Sequence, residues 1–545
     1  MVNDRRYDAI VIGGGHNGLV AAAYLARAGL STLVLEARGV VGGAAVSEHP
    51  FGPDYTVTML SYVLSLMPPS LVRDLRLAEH GYHVFPQGPY FAPRRDGRYL
   101  QLPRDPSARR ERIAPFSARD ADAYDRWDAW LDRLGAILGP LLQQVPPRVG
   151  SHRPGDLLRQ AGLLRLLRGV DERAAVDLTR LLTSSIADLV EDRFESDAVR
   201  GALAVSGAIG TWAGPRSAGT AYVMAHHHIG DIGDGRVGAW GFPRGGMGGV
   251  TQALAAAARS LGAEIRTSAR AARICTRPGV DRARVTGVQL DTGEEVTAPI
   301  VVTTAHPQIS FLRLLEREVL PAGFVDDIET WKTRSGTVKI NLALDRLPTF
   351  ASHPDHDPQV YGGTIVLAER LDDVEDAFQE AVAGRAAAQP FADICIPSVF
   401  DESLAPPGHH VMSMFTQWVP HTWSSTPDAD QLDVYVERVI ARMEQVAPGF
   451  TDSIVDKVVV GPYEMEHEYG LVGGNIFHGE LSPGQLFHAR PAAGYADMRT
   501  PVAGLYQAGS ATHGGGGVTG IPGRNVVRQI IADRRAQRWR RWRER

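Results

Sequence analysis

Tyr7-Asp8-Ala9-Ile10-Val11-Ile12 runs straight into Gly13-Gly14-Gly15-His16-Asn17-Gly18, and residues 19–28 that follow are rich in Ala and Leu. An apolar β-type run, a glycine turn and a helix-forming run in that order make the opening βα turn of a dinucleotide-binding unit. Each odd-looking glycine has its own reason. Gly13 allows the tight turn, Gly15 lets the backbone approach a pyrophosphate, and Gly18 permits close packing of the helix. The helix start offers free N–H groups and the positive end of its dipole, so His16 and Asn17, which open it, count among the cofactor contacts expected. Ser31-Thr32-Leu33-Val34-Leu35 is a second strand, ending in Glu36. A carboxylate about 20 residues past the glycines accepts hydrogen bonds from an adenosine ribose and repels a 2′-phosphate.

Working outward, Glu36-Ala37-Arg38-Gly39-Val40-Val41-Gly42-Gly43-Ala44 adds a glycine pair just past the acidic strand. It suits a backbone passing along a long extended ligand, which favours FAD and adds Ala37, Arg38, Gly42, Gly43 and Ala44 to the expected contacts. A second strand–glycine–helix run stands near the other end. Residues 504–513 lead into Gly514-Gly515-Gly516-Gly517-Val518-Thr519-Gly520 and then a helix-forming stretch. Backbone N–H groups at such a helix start can stabilise negative charge on a reduced flavin. Gly509, Ser510, Gly517 and Val518 are the contacts expected from this cluster.

The 545-residue chain has length for three or four domain equivalents at about 150 residues each. Lys plus Arg is 57 against 62 acidic residues, a net charge of −5, so no basic field for nucleic acid is present. The lysines Lys332, Lys339 and Lys457 lie in no phosphate-binding G-x-x-x-x-G-K loop. Cys275 and Cys395 show neither redox nor zinc spacing, which points to a cytoplasmic protein without a disulfide framework. No run of about 20 apolar residues predicts a transmembrane helix.

Residues 120–235 read as helical, with Tyr124, Trp127, Trp130, Leu131, Leu134, Ile137, Leu138 and Leu141 forming one apolar stripe. A second leucine-rich helix is expected over 155–169. Residues 250–260 predict a helix, and 264–267, 271–274, 285–290 and 300–303 predict strands that return the chain to the nucleotide domain. An alternating strand over 338–344, further strands near 394, 411–415 and 455–460, and a helix over 431–446 describe an antiparallel sheet with helices. The fold class expected is α/β: a Rossmann-type FAD domain from residues 1–75, 240–310 and 495–533. An α+β substrate domain, with antiparallel sheet and helical insertion, takes 76–239 and 311–494.

His226-His227-His228, placed on a strand, would point to alternate faces, so they predict a cavity lining and no metal site. His513, beside the expected flavin segment, His227 and His478 are the candidates for handling a proton. Glu466, His467, Glu468 and Tyr469, next to the Gly473-Gly474-Asn475 turn, read as a polar turn between strands. The tail, 534–545, holds seven arginines and one glutamate with Trp539 and Trp542 three apart. It is either a solvated terminus or a peripheral contact with anionic lipid.

The N-terminal fingerprint, Val41-Gly42-Gly43-Ala44-Ala45-Val46, Gly245-Gly246-Met247-Gly248, Asp345-Arg346-Leu347-Pro348, Leu404-Ala405-Pro406-Pro407-Gly408, Gly473-Gly474-Asn475-Ile476-Phe477-His478 and the C-terminal cluster together resemble the phytoene-desaturase-like FAD-dependent oxidoreductases of the amine oxidase superfamily. Within them the resemblance is to the mitochondrial branch named for a pyridine nucleotide-disulfide oxidoreductase domain; two distant cysteines give the disulfide part of that name no support. Ala44 departs from the pattern, standing where many members carry arginine. The resemblance implies FAD, a contact between Ala271 and adenine, and a desaturase or dehydrogenase passing hydride from a hydrophobic isoprenoid or lipid-like substrate to flavin N5. Carotenoid ketolases and amine oxidases share the fold, and a binding protein merely stabilised by FAD is the reading from a different class.

Overall fold

The computed structural model describes residues 6–148, 150–353 and 357–543. Its first layer is a five-stranded parallel sheet in the order Leu505–Gln507, Val301–Thr303, Ala9–Ile12, Thr32–Leu35, Glu264–Arg266. The central strand pairs Ala9 with Thr32 on one side and Ile10 with Val301 on the other. Its Ala-Ile-Val-Ile sequence is buried throughout, as a strand covered on both faces requires. The helices His16–Arg27, Gly246–Ser260 and Ile521–Arg543 pack on one face. Their approach is close: a Cβ on Gly523 would stand 2.2 Å from the carbonyl oxygen of Asn17.

A seven-stranded mixed sheet forms the second body, in the order Ile454–Val460, Thr337–Leu344, His410–Gln417, Phe391–Cys395, Ile365–Leu367, Tyr90–Pro93, Tyr99–Leu102. Its pairings are antiparallel except that of Ile365 with Phe91. The helices Ala118–Leu142, Pro154–Leu167, Glu172–Thr183, Ile186–Glu191, Asp197–Ala208 and Thr220–His228 make the insertion. Trp127, Leu131, Leu134 and Leu138 of the expected stripe are buried in a core shared with the sheet. Among the described residues no helix is long and apolar enough to cross a membrane.

Two local expectations change. His226, His227 and His228 close the helix Thr220–His228 rather than occupying a strand. The run Ala221-Tyr222-Val223-Met224-Ala225 before them is wholly buried among neighbouring helices, and that packing carries the helix to its end. Consecutive histidines are therefore about 100° apart around an axis instead of on opposite faces. The strand Thr337–Leu344 alternates in sequence, yet all eight of its residues are buried. Asn341, which alternation would send to water, donates to the carbonyl of Met59 at 3.2 Å because another segment covers that face. The tail continues the Ile521–Arg543 helix, while Glu544 and Arg545 lie outside the described residues.

Candidate active site

The two glycine runs lie side by side. Gly42 N–H donates to the carbonyl of Gly14 at 2.9 Å, and Gly15 bridges Gly42 in parallel. The glycines now separate by role. Gly13 has φ +99°, and a Cβ on it would meet the Thr304 hydroxyl at 2.4 Å. A Cβ on Gly18 would stand 2.0 Å from the carbonyl oxygen of Gly13, so both positions are closed by packing. Gly15 is different: its nearest neighbours would be 3.8 Å away, it has ordinary φ, and it lines a cavity of about 1580 Å³. Single-ligand pockets are typically ~300–1,000 Å³, so this one has room for a dinucleotide and a second molecule.

At the nucleotide end the Glu36 carboxylate accepts from Gly14 N–H at 2.7 Å and Arg38 N–H at 2.8 Å. A carboxylate has about four acceptor sites, so lone pairs remain for ribose hydroxyls. His16, Asn17, Ala37, Arg38, Gly42, Gly43, Ala44 and Ala271 line the same cavity, as do Ser510, Gly517 and Val518. Arg38 pairs with Glu48, and its guanidinium lies 4.6 Å from the centre of the Tyr469 ring. The 466–470 segment thus walls the cavity, a role that reading it as a polar turn did not include. Gly509 is not among the lining residues, and a Cβ there would meet the Thr304 carbonyl at 2.7 Å.

Three polar atoms here, His16 Nε2, Asn17 Oδ1 and one Arg38 nitrogen, are buried without a protein partner. Buried polar atoms are ordinarily satisfied. Free donors and acceptors beside a bare glycine floor and a ribose-type carboxylate are what FAD's phosphates, sugars and ring edge would engage.

The candidate histidines divide. His513 is not among the residues that line the cavity, and its Nε2–H donates to the carbonyl of Leu141 at 3.1 Å. The helix Ala118–Leu142 ends against the glycine cluster, so a carbonyl of its last turn, beyond the regular i to i+4 ladder, accepts from the imidazole. His227 does line the cavity; Nδ1–H donates to Val223 at 2.8 Å and the ring stacks on Trp240. His478 also lines it, with φ +57° and an unpartnered Nδ1, 5.7 Å from the ring of His306. Burial pushes His227 down to about 4. Burial, then the nearby Arg490 cation, brings His478 to about 4 as well. Both are neutral near pH 7 and act there as hydrogen-bonding walls. Among the described residues no His, Cys, Asp and Glu group could hold a metal ion.

Strand pairing assembles a cluster that was not legible in the sequence. Tyr62 O–H donates to Asp393 Oδ1 at 3.0 Å, the Lys339 ammonium sits 4.5 Å from the Tyr62 ring centre, and Lys339 also donates to Ser413. Tyr62, Lys339 and Asp393 all line the cavity. Burial lowers Lys339 to about 7 and raises Asp393 to about 7. Both groups therefore exchange protons near neutrality. The available signal was a lysine inside the apolar run Val338-Lys339-Ile340, a costly placement without a purpose.

The family model described as flavin containing amine oxidoreductase matches residues 18–523. The chain belongs to that family. It is an FAD-dependent oxidoreductase, and FAD is the molecule its glycine floor and Glu36 fit. The flavoprotein is 38% identical over 548 residues to pyridine nucleotide-disulfide oxidoreductase domain-containing protein 2 of Rattus norvegicus, covering 97% of this chain and 94% of the relative. It is 24% identical over 533 residues to the lycopene-forming phytoene desaturase of a Paracoccus strain, covering 94% and 95%. Among solved structures, a putrescine oxidase variant superposes with a TM-score of 0.59 at 17% identity, covering 97% of this chain and 99% of that one, a likeness of fold.

Proposed function

We propose that this flavoprotein removes hydride from a C–H bond of a hydrophobic, isoprenoid or lipid-like molecule and releases a desaturated product. The observation that carries the reading is the apolar part of the cavity's lining, Tyr90, Trp127, Leu131, Leu203, Met224 and Phe415, which belongs to the same cavity as Gly15 and Glu36. Such a wall binds by apolar contact and excludes water from a transferring hydride. Bound FAD would supply the hydride acceptor. The chain's own contribution is positional. Trp127 and Leu131 orient an apolar chain, and Lys339 with Asp393 can hold or move the proton that leaves when a double bond forms. The phytoene desaturase relative supports an isoprenoid substrate, and the apolar lining supports a lipid-like one.

Amine oxidation is the second reading, favoured by Tyr62 and Asp393, an aromatic face and a carboxyl group that a cationic nitrogen would use. Lys339 already occupies that aromatic face, and Asp393 is only half ionised near pH 7, so the site is a poor cation receptor. Anaerobic mixing with isoprenoids, lipid extracts and amines, followed by product mass, tests the proposal. Flavin bleaching with loss of two hydrogens is expected from a hydrophobic substrate. Gain of oxygen would make it a ketolase, imine or aldehyde products an amine oxidase, and a flavin that stays oxidised throughout would leave a binding role.

A further inference from the structure

The helix Pro154–Leu167 reverses the usual polarity of a surface helix. Of its 14 residues only Asp156 is buried. Leu157, Ala161 and Leu164, spaced i, i+4, i+7, share one outward face with Leu158 beside them, and Leu158 is 75% and Leu164 65% exposed. Normally that spacing faces the core, as it does for Trp127, Leu131, Leu134 and Leu138 in the preceding helix. Arg165 and Arg168 are exposed on and beside this face, while Asp156 is turned inward to accept from Ser151 at 2.7 Å. The exposed charge of the helix is therefore entirely positive in a chain of net charge −5.

The C-terminal tail adds to it. Arg159 feels the charges of Asp497, Arg499 and Asp533, and Arg499 pairs with Asp533 at 2.6 Å. Asp533 immediately precedes the arginine-rich end of the Ile521–Arg543 helix, so the first turns of the leucine helix and the base of the tail share one charged cluster. Trp539 and Trp542 on that tail are exposed.

From this we infer that the Pro154–Leu167 helix and the tail form a docking surface for an anionic lipid bilayer. Leucines and indoles enter the acyl boundary while arginines meet headgroup phosphates, and the net positive charge of the helix and tail selects an anionic surface over a neutral one. The inference goes beyond the flavin chemistry and holds whatever the substrate proves to be.

The test is flotation of the FAD-loaded, full-length protein with phosphatidylcholine vesicles and with mixed phosphatidylcholine–phosphatidylglycerol vesicles. Binding to the mixed vesicles only, weakened by salt, is expected. Leu158→Asp/Leu164→Asp should cut partitioning at least tenfold, and Arg534→Gln/Arg535→Gln/Arg538→Gln should cut it and flatten its salt dependence. The flavin spectrum and melting temperature should be unchanged in both, which separates lost docking from lost folding. Absence of vesicle binding by the parent protein, or a leucine variant that binds like the parent, would overturn the proposal. So would concentration-dependent self-association abolished by Leu158→Asp/Leu164→Asp, which would assign the face to a second copy of the chain.

Discussion

Gly15 and Gly18 stand three residues apart in one motif, and the structure gives them opposite tolerances. A side chain on Gly18 meets backbone at 2.0 Å, whereas one on Gly15 enters the cavity. Gly15→Val should fold, at a cost of about 1–2 kcal/mol in helix capping, and purify colourless because its methyls occupy the pyrophosphate's approach. Gly18→Val should lose both flavin and a cooperative melt. The ratio of flavin to protein absorbance, set beside thermal unfolding, checks the pair.

Lys339 and Asp393 carry a second prediction at this scale. Asp393 is raised from 3.8 to about 7, so the folded state holds its proton more tightly, and stability falls as pH rises through that window. Lys339 is lowered from 10.5 to about 7, so the unfolded state binds more protons above 7, and stability climbs again toward 10.5. The pair therefore imposes a dip centred near pH 7. Lys339→Met/Asp393→Asn should remove it, raising stability near neutrality by a few kcal/mol relative to the parent curve. Denaturation of the apoprotein at about pH 5, 7 and 9 measures the difference; parallel curves for both proteins would refute the assigned protonation behaviour.

At the scale of elements, the helix Ala118–Leu142 serves two structures at once. Its Trp127 and Leu131 belong to the core of the second body and also line the cavity. Trp127→Ala should cost about 3–5 kcal/mol through the cavity it leaves. Leu131→Trp, which adds bulk at the apolar lining, should leave flavin content intact and slow flavin reduction by a hydrophobic substrate at least tenfold. Unchanged reduction kinetics in Leu131→Trp would place the substrate elsewhere. The His226–His228 run teaches the same lesson from the sequence side. Read alone, three histidines have no periodicity; their direction is set by the buried residues 221–225 that precede them and fix the helix phase.

Across the whole molecule, the cavity is floored by strands and loops that come from both ends and the middle of the chain. A ligand touching all of them stabilises their joint arrangement by mass action, about 2.7 kcal/mol when free FAD is a hundred times its Kd. Stripping FAD should lower the melting temperature, and adding FAD back should restore it while NAD does not. Recovery with NAD would contradict the reading of the Glu36–Ala44 segment.

The chain's local chemistry was enough to read the backbone geometry of the glycine-lined part of the cavity. Tight turns, bare backbone and a carboxylate at a strand end are properties of a few consecutive residues, and a glycine motif states them directly in Gly13, Gly15, Gly42 and Glu36. Sequence periodicity likewise located the helical insertion, because Tyr124 to Leu138 carry their own buried face. What only tertiary structure decided is the polar cluster inside the cavity. Tyr62, Lys339 and Asp393 are brought together by strand order and by a covering segment, and nothing within reach of any one of them in sequence announces the others. His513 shows the converse: it lies beside the right glycines, but a helix end from residue 141 claims its imidazole. Backbone conformation is a local property and can be read locally, whereas burial, protonation and side-chain direction depend on neighbours that only the folded packing supplies.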